Sequence, residues 1–305
     1  MKWEKQGLIY TPDGSFSWAK SHAMIPTPCL LTSDIIRIYL NCCDAKGISR
    51  VGFIDVNAHH PKEIINIAAN PILEIGQAGT FDENGVVQTS IVTLADGKKY
   101  LYYVGFELGT QIRYRLFTGA AISDDGETFS RIRKTPILER SDAELYFRCG
   151  PFVLFDENKF KLWYVAGSQW LTIDNKEMPI YTIHYLESLD GIHWGQAGQL
   201  CIDIQQEDEH GFGRPYVIKE DGLYKMFYSI RKKQIGYRLG YAESKDGIHW
   251  IRKDHEIGID VSPTGWDSEM ICYSAVMKYD DKVYLFYNGN GFGKTGLGLA
   301  TLEAN

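Results

Sequence analysis

The sequence predicts an all-β protein, a five-bladed β-propeller with four strands in each blade, from three observations. An aromatic-rich strand recurs at intervals of roughly 60 residues, and a fixed period in a β-rich chain indicates a repeated architecture. An Asp-Gly corner recurs between these strands. The last repeat stops before its fourth strand, whereas the chain begins with a strand of that type. The five recurring strands are marked by Tyr39, Tyr103, Tyr164, Tyr228 and Tyr287.

Each repeat has the same order along the chain. An apolar first strand leads to the marker strand through a turn rich in Asp, Asn and Gly, which tolerate the positive φ of tight hairpins. A third strand of small and apolar residues follows, as in 119–122 and 239–242. The predicted first strands span 23–31, 85–94, 147–155, 212–219 and 270–279.

The corner after the third strand has the pattern Ser-x-Asp-Gly-x-x-aromatic. It occupies 123–129, 188–194 and 244–250. The Asp-Gly pair makes a turn, and the aromatic residue begins an outer fourth strand and packs inward. We therefore expect this motif to be structural despite its carboxylates and histidines.

The two ends of the chain complement each other. Residues 1–10, with Trp3, resemble the strands that Trp194 and Trp250 begin, and the fifth repeat lacks such a strand. Closing a ring in this way leaves only short, protected sheet edges. We expect a single domain over 1–305, in which the strand at 1–10 completes the last blade.

Composition and charge argue against several classes of protein. A net charge of -7 disfavours a nucleic-acid partner held by bulk charge. No apolar run approaches the ~20 residues of a membrane span, and residues 1–7 lack the apolar stretch of a signal peptide. The six cysteines have no disulfide or metal-site spacing, and His59-His60 lacks zinc-ligand partners. The expectation is a soluble cytoplasmic protein without metal or cofactor, its oligomeric state open.

The blades, the N-terminal closure and the Asp-Gly-x-x-Trp corners resemble the glycosidase-type propellers. This group includes arabinanases and xylosidases, invertases and levansucrases, and mannoside phosphorylases. Within it, 266–270 and 288–293 resemble a glycosidase-like subfamily seen in sugar and surface-polysaccharide contexts. The resemblance covers nearly the whole chain and implies a sugar site on the first strands, at the narrow end of the central channel. It also implies three carboxylates there, of which glycoside hydrolysis needs two with separated pKa values.

The marker tyrosines locate the channel positions where those carboxylates would lie. Counting back from each marker gives Thr27, Thr89, Gly150, Arg214 and Tyr273. The resemblance implies Asp in the first two blades and Glu in the third, yet none of the five residues is acidic. The usual hydrolase carboxylates are therefore predicted to be replaced.

Two arginines and one tyrosine carry the most information about the replacement site. Arg148 and Arg214 lie in apolar or small-residue strands, where a guanidinium needs an anionic partner. That partner is either a nearby glutamate or a ligand carboxylate or phosphate, and the sequence leaves both open. Tyr273 could act as a nucleophile, bind a sugar hydroxyl or pack in the channel.

The remaining ionisable residues near the first strands complete the set. Each alone reads as a solvated loop charge, but their recurrence in every blade favours a site. The run 291–296 suggests a phosphate loop, but Asn288 replaces its required glycine and a strand follows, so we expect a hairpin loop with Asn288 or Asn290 facing the channel. The catalytic candidates are Asp82, Glu144, Glu209, Glu269 and Tyr273. The substrate-binding candidates are His22, Glu83, Gln88, Arg148, His210, Arg214, Asp267 and Asn290.

Two functions follow from this pattern. The first is a carbohydrate-active enzyme, glycosidase-like in fold, that acts on an anionic or a nucleotide- or phosphate-linked sugar in the central channel. The alternative is a sugar-binding propeller without catalysis, which the missing carboxylates favour. In both cases the partner is a small-molecule sugar, with no nucleic acid and no membrane.

Overall fold

The computed structural model describes residues 1–303, apart from the side chain at position 168, and nearly all of its regular structure is β. One short helix, α1, spans Asn290–Gly293, and a 3-10 turn spans Asp254–Glu256. No helix in this described part is long and apolar enough to cross a membrane. The strands are β1 Trp3–Tyr10, β2 Ser21–Thr32, β3 Ile35–Cys43, β4 Ser49–Asn57, β5 Ile64–Ile67, β6 Val86–Thr93, β7 Lys99–Leu108, β8 Tyr114–Ser123, β9 Ser130–Arg131, β10 Phe147–Asp156, β11 Lys159–Ile173, β12 Lys176–Ser188, β13 Gln199–Ile202, β14 Glu209–Glu220, β15 Leu223–Lys232, β16 Arg238–Ser244, β17 Ile251–Arg252, β18 Cys272–Tyr279, β19 Lys282–Asn288 and β20 Leu297–Leu302.

The strands form five antiparallel groups of four, which we call units 1 to 5. Unit 1 is the four-stranded sheet β2-β3-β4-β5. Units 2, 3 and 4 are β6 to β9, β10 to β13 and β14 to β17, and the parallel pairs β8 with β10 and β12 with β14 join them into one 12-stranded sheet. Unit 5 is the four-stranded sheet β18-β19-β20-β1.

The N-terminal strand belongs to the same sheet as the last strands of the chain. β1 pairs antiparallel with β20, from Trp3 opposite Leu302 to Tyr10 opposite Leu297. The Trp3 indole Nε1 donates a hydrogen bond to the carbonyl of Ile257 at 2.8 Å, so this strand is also fixed to the loop that follows unit 4.

The first strand of each unit lies against the first strand of the next. β2 contacts β6, β6 contacts β10, β10 contacts β14 and β14 contacts β18. β18 in turn contacts β2. The contacts between first strands therefore run in sequence from unit 1 to unit 5 and back to unit 1.

Small residues on the third strands make room for the marker tyrosines. Gly119 pairs with Tyr103 and Gly240 pairs with Tyr228. A Cβ at either glycine would lie 2.2 or 2.4 Å from the tyrosine ring, far inside van der Waals contact. The small residues of the predicted third strands are thus explained by the buried rings that they face.

The Asp-Gly corners have a structural role that the sequence did not predict, because they join neighbouring units. Within the corner at 188–194, the Asp190 carboxylate accepts hydrogen bonds from the backbone N–H groups of residues 192 and 193. This ordered turn presents the Gly191 carbonyl to the Tyr102 hydroxyl of unit 2 at 3.1 Å. Two further bonds follow the same plan, from the Tyr39 hydroxyl to the Gly126 carbonyl and from the Trp163 indole to the Gly247 carbonyl.

Candidate functional site

Every first strand carries a β-bulge at the same point, close to the centre. The regular pairing is interrupted between Met24 and Thr27 in β2, and each of the other first strands has an interruption at the equivalent position. Bulges re-aim side chains, and several of these residues have left-handed φ values, such as 55° at Ile25 and 53° at Tyr273. The other four interruptions lie between Gln88 and Ser90, Cys149 and Phe152, Gly213 and Tyr216, and Cys272 and Ala275.

The bulges enclose an axial cavity of about 120 Å³. Each unit contributes one equivalent bulge residue to its lining, namely Ile25, Thr89, Gly150, Arg214 and Tyr273. Apolar side chains form much of the remaining wall, together with Tyr181, Arg231 and Tyr237. Among the described residues that line the cavity there is no aspartate or glutamate.

The position predicted for unit 1 was wrong by two residues. Thr27 was expected at the channel, but Thr27 pairs with Tyr39 in the regular ladder, and Ile25 occupies the bulge. The bulge leaves Ile25 and Pro26 unpaired before regular pairing resumes at Thr27, so counting back without a correction for the short turn finds the right residue. This correction replaces a threonine with an isoleucine and leaves the position non-acidic.

Arg214 lies at the meeting point of the units and is bound by backbone carbonyls. Its Nη2 donates to the carbonyls of Pro26 at 3.0 Å and Tyr273 at 3.1 Å, and its Nη1 donates to that of Thr89 at 3.3 Å. Complete burial lowers the pKa of the Arg214 guanidinium to about 10. No carboxylate pairs with it among the described residues, and its Nε has no hydrogen-bond partner there.

Arg231, at the end of β15, is the second cation of the cavity. Arg231 is 2 % exposed, and its Nη1 donates to the carbonyl of Pro179 at 2.7 Å. The guanidinium lies over the Tyr181 ring, 4.5 Å from the centroid. The Arg231 Nε and the Tyr181 hydroxyl are both buried without a hydrogen-bond partner in the described structure. Buried polar groups in proteins are nearly always satisfied, so two such atoms in one cavity indicate a place for a ligand or water.

The Arg148 side chain is committed to a carboxylate of the protein. Its Nε lies 2.5 Å from the Glu144 carboxylate, and both side chains are almost completely buried. Its Nη1 and Nη2 donate to the carbonyls of Glu139 and Gly195. Of the two partners that the sequence left open for Arg148, the structure shows the glutamate.

The predicted catalytic carboxylates Asp82 and Glu144 belong to a repeated structural arrangement with the marker tyrosines. The Tyr164 hydroxyl donates to Glu144, and the Tyr103 hydroxyl donates to Asp82 at 2.9 Å. Asp82 also receives a hydrogen bond from Arg131 at 2.7 Å. In units 4 and 5 the same arrangement comprises Tyr228 with Asp254 and Arg252, and Tyr287 with Asp267 and Lys5.

Glu209 is bound by Arg252, which also binds Asp254 in the unit 4 arrangement. Both Arg252 Nη atoms reach its carboxylate, at 2.6 and 2.9 Å. Burial alone would raise the pKa of Glu209, but the bonds from Arg252 and from the backbone N–H groups of Gln205 and Gln206 outweigh it and keep that pKa below its ordinary value. Glu209 is therefore an ionised, paired carboxylate at neutral pH.

The two remaining predicted catalytic residues, Tyr273 and Glu269, lie at or beside the cavity. Tyr273 lines it, and burial raises the pKa of its hydroxyl well above the ordinary value, which disfavours a phenolate. Glu269 is exposed, and its carbonyl accepts a bond from Arg238, next to the cavity residue Tyr237. The catalytic roles of all five candidates stay predictions.

Four of the predicted substrate-binding residues have other partners. Gln88 is buried and its Nε2 donates to the carbonyl of Ile25, linking units 1 and 2. His22 bonds to the Ser21 hydroxyl, and Glu83 accepts from a backbone N–H. Asn290 accepts from the backbone N–H of Glu269, whereas Asn288 binds Ile25 and lies between units 5 and 1.

His210 is a buried neutral base near the cavity. His210 is 4 % exposed, and its Nδ1 has no hydrogen-bond partner among the described residues. Burial, with repulsion from Arg231 and Lys233, lowers the pKa of His210 to about 4. Its imidazole is thus uncharged at neutral pH.

Sequence reasoning missed Arg231, Tyr181 and Tyr237. A signal for Arg231 was available, because it ends the apolar strand β15 just as Arg214 interrupts the apolar strand β14. The tyrosines gave no such signal, since the chain has 19 of them and most are core residues. Metal ligation has no candidate: no group of three or more His, Cys, Asp or Glu within the described chain could hold an ion.

A second, wider pocket lies on unit 3. It has a volume of about 420 Å³ and is lined by Glu144, His184, Thr182 and Asp203, among others. The carboxylate at its base already binds Arg148, Tyr164 and the backbone N–H of Gly198. Its polar groups are therefore better satisfied than those of the axial cavity.

Solved structures with the same fold are glycosidase-like proteins. A "Glycoside hydrolase" aligns with a TM-score of 0.79 at 19% identity, covering 99% of this chain and 92% of that one. A thermostable family-43 glycoside hydrolase aligns with a TM-score of 0.70 at 16% identity, covering 96% and 92%. A structure from work on the GH130 family of mannoside phosphorylases aligns with a TM-score of 0.72 at 15% identity, covering 99% and 94%. These likenesses establish the fold.

Full-length sequence relatives come from Mycobacterium tuberculosis. "Uncharacterized protein Rv1502" is 36% identical over 303 residues, which cover 99% of this chain and all of that protein. "Uncharacterized protein MT1551", from a second strain, is 35% identical over the same length. No family model matches the sequence. The chain belongs to the family of these mycobacterial proteins, and its fold is that of the glycosidase-like all-β proteins.

Proposed function

We propose that this protein is a carbohydrate-active five-bladed β-propeller, a single domain over 1–305 whose last blade is completed by residues 1–10. The pairing of β1 with β20 supports the completed blade, and the cyclic contacts of the first strands support a closed ring. Closure leaves only short sheet edges and directs one bulge from each blade to the axis.

The ligand in this proposal is a sugar that carries an anionic group, and it binds in the axial cavity. The observation that carries the proposal is the cavity itself, to which five blades contribute equivalent bulge residues and in which two arginines lie without a carboxylate. Sugar sites combine aromatic walls with a few fixed polar groups, and Tyr181, Tyr237 and Tyr273 provide both. A fold neighbour described as acting on β-1,2 mannosidic linkages in Candida mannan is consistent with a glycan ligand.

If the protein is an enzyme, we assign the acid–base role to Glu269. The carboxylates of Asp82, Glu144 and Glu209 are each already bound by an arginine of the protein. Glu269 is exposed beside the segment that carries Tyr237, so its carboxyl group is accessible to a sugar at the cavity mouth. The reaction would be glycosyl transfer, hydrolysis or a rearrangement of the sugar.

A second candidate function is sugar binding without catalysis. The specific observation in its favour is the absence of an acid from the described lining of the cavity, since glycoside hydrolysis needs two carboxylates across the scissile bond. Both candidates share the cavity and its ligand and differ only in turnover.

The experiment combines binding and turnover on the purified full chain. Glucuronic acid, glucose 1-phosphate and UDP-glucose are titrated by calorimetry beside neutral glucose, and glucuronides, glucosides, glucose 1-phosphate and UDP-glucose are assayed for product release. We expect an anionic sugar to bind and its turnover to be lost in Glu269→Ala but kept in Glu4→Ala, a change of an exposed glutamate on β1.

Each other outcome changes the assignment. Turnover that survives Glu269→Ala removes the acid–base role of that residue. Binding without turnover of any of these compounds selects the binding module. If none of the sugars binds to the wild-type protein, the proposed function is wrong.

A further inference from the structure

Buried arginines elsewhere in this chain have a carboxylate of their own. Arg37 binds Asp55 at 2.7 Å, and Arg148 binds Glu144. The Arg252 side chain, also buried, binds Glu209. These pairs are the usual arrangement, because an uncompensated buried charge is costly and buried charges in proteins are paired.

The two arginines of the axial cavity depart from this arrangement in different ways. Arg214 replaces a carboxylate with backbone carbonyls from units 1, 2 and 5, so its role is to hold the centre together. Arg231 has one such bond, to the Pro179 carbonyl, and a buried Nε without a partner in the described structure. Of the two, only Arg231 combines a missing carboxylate with few carbonyl contacts.

The surroundings of Arg231 keep it charged. Burial would lower the pKa of Arg231, but its interactions with Tyr237, which include a hydrogen bond, and with Tyr181 and Tyr114 outweigh this and raise that pKa. The Tyr181 ring also lies under the guanidinium and stabilises a cation there. A permanent positive charge therefore lies in a cavity whose described lining residues include no aspartate or glutamate.

The Tyr181 hydroxyl supplies the second polar group of this corner. Tyr181 is 7 % exposed, and its hydroxyl is buried without a partner among the described residues. It lies on β12, at the single residue where β12 pairs with the first strand of unit 4, opposite Gly211. Because the backbone at Tyr181 is paired with unit 4, the position of its hydroxyl group is fixed, as a binding site requires.

We infer that Arg231 and the Tyr181 hydroxyl form an anion subsite of the axial cavity, which binds the carboxylate or phosphate oxygens of the sugar. This inference rests on the proposed function and deepens it, because it assigns the charge recognition to Arg231 instead of Arg148 or Arg214. The chemistry is that of an oxyanion, which a guanidinium binds through two parallel hydrogen bonds. A uronic acid and a sugar phosphate are the two sources of that group.

The test compares wild type with Arg231→Gln, Arg231→Lys and Tyr181→Phe by calorimetric titration of glucuronic acid, glucose 1-phosphate, glucose and inorganic phosphate. We expect one anionic sugar to bind to wild type at least roughly tenfold more tightly than glucose, since bonds to charged groups are the strong ones. Arg231→Gln should abolish that preference, so that the anionic sugar and glucose bind to this variant with affinities within about twofold of each other. Arg231→Lys should keep part of the preference for the anionic sugar, because lysine retains the positive charge but lacks the planar guanidinium that forms two parallel hydrogen bonds.

Circular dichroism and thermal melts establish that each variant is folded. Should Arg231→Gln fail to fold, Tyr181→Phe is the test variant, because it removes one hydroxyl and should weaken binding of the anionic sugar roughly three- to tenfold more than binding of glucose. An anionic sugar that binds to the folded variants as tightly as to wild type overturns the inference. The preferred probe, glucuronic acid or glucose 1-phosphate, identifies the source of the oxyanion.

The failures of the two proposals are distinguishable. If glucose and the anionic sugars bind equally to wild type, the anion subsite is wrong and the sugar function stands. If inorganic phosphate binds in an Arg231-dependent way but no sugar does, the subsite stands and the sugar function is wrong. If nothing binds, both are wrong.

Discussion

The hydroxyl of Tyr164 lies 2.7 Å from both carboxylate oxygens of Glu144. Arg148 binds the same carboxylate from the neighbouring strand, which makes a buried group of tyrosine, acid and base. Equivalent groups are centred on Asp82, Asp254 and Asp267 in units 2, 4 and 5. Asp82, Glu144 and Asp267, three of the acids before the first strands that suggested a catalytic site in the sequence, therefore belong to these repeated groups.

Replacing Glu144 should destabilise the fold strongly. Glu144→Ala leaves the buried Arg148 guanidinium without its acid, and breaking a buried pair in this way costs about 3–5 kcal/mol. Glu269→Ala, at an exposed carboxylate, should change the free energy of unfolding by less than about 0.5 kcal/mol. Urea denaturation of both variants measures the difference, and an equal effect at the two sites would contradict the structural role of Glu144.

Removing the hydrogen bond between the Tyr102 hydroxyl and the Gly191 carbonyl, which joins units 2 and 3, should lower the free energy of unfolding by a small, measurable amount. Tyr102→Phe deletes the hydroxyl that donates to the Gly191 carbonyl, and the loss should be about 1 kcal/mol in the free energy of unfolding. The matched control is Tyr100→Phe, on the same strand and half-buried. If the control loses as much as Tyr102→Phe, the corner carbonyl contributes nothing beyond the packing of the ring.

The link between units 5 and 1 should be essential to stability. The Asn288 side chain accepts from the N–H of Ile25 and donates to the carbonyl of Ala23, and the residue is fully buried. Asn288→Ala leaves these backbone groups unsatisfied, which should cost at least about 2 kcal/mol. The exposed Asn70→Ala is the control. Equal melting temperatures for the two variants would count against the ring closure that we propose.

Stability should fall as the solution is acidified, in part because of His210. Its pKa is about 4 when folded and 6.5 is the ordinary value, so the unfolded chain binds the proton first as pH drops. The loss should be absent above pH 6.5 and grow towards pH 4. Denaturation at pH 7 and pH 5 should show a larger fall in wild type than in His210→Gln, and identical falls would mean that His210 does not titrate in this range.

The repeat architecture was predictable because it is written in local patterns. The marker strands, the Asp-Gly turns and the small third-strand residues each depend on contacts a few residues away or on one neighbouring unit. The predicted channel position in β2 failed because the count was shortened for the shorter turn after that strand, whereas the uncorrected count reaches Ile25.

The candidate site was less predictable, because it depends on which partner each charge finds. Arg148 and Arg214 look alike in sequence, yet one binds Glu144 and the other binds carbonyls from three units. Glu144 is only four residues from Arg148, whereas the carbonyls around Arg214 come from distant parts of the chain that pack together in three dimensions. Arg231 could have been noticed as a charge in an apolar strand, but the lack of an acid near it is visible only in three dimensions.

The central claim is that the axial cavity binds an anionic sugar at Arg231. The most direct measurement is a difference electron-density map of crystals soaked with the sugar that binds in solution, glucuronic acid or glucose 1-phosphate. The account predicts density in the axial cavity, with the carboxylate or phosphate oxygens within hydrogen-bond distance of the Arg231 guanidinium and the Tyr181 hydroxyl. Density in the unit 3 pocket beside His184, or an empty axial cavity at a sugar concentration that saturates binding in solution, would contradict it.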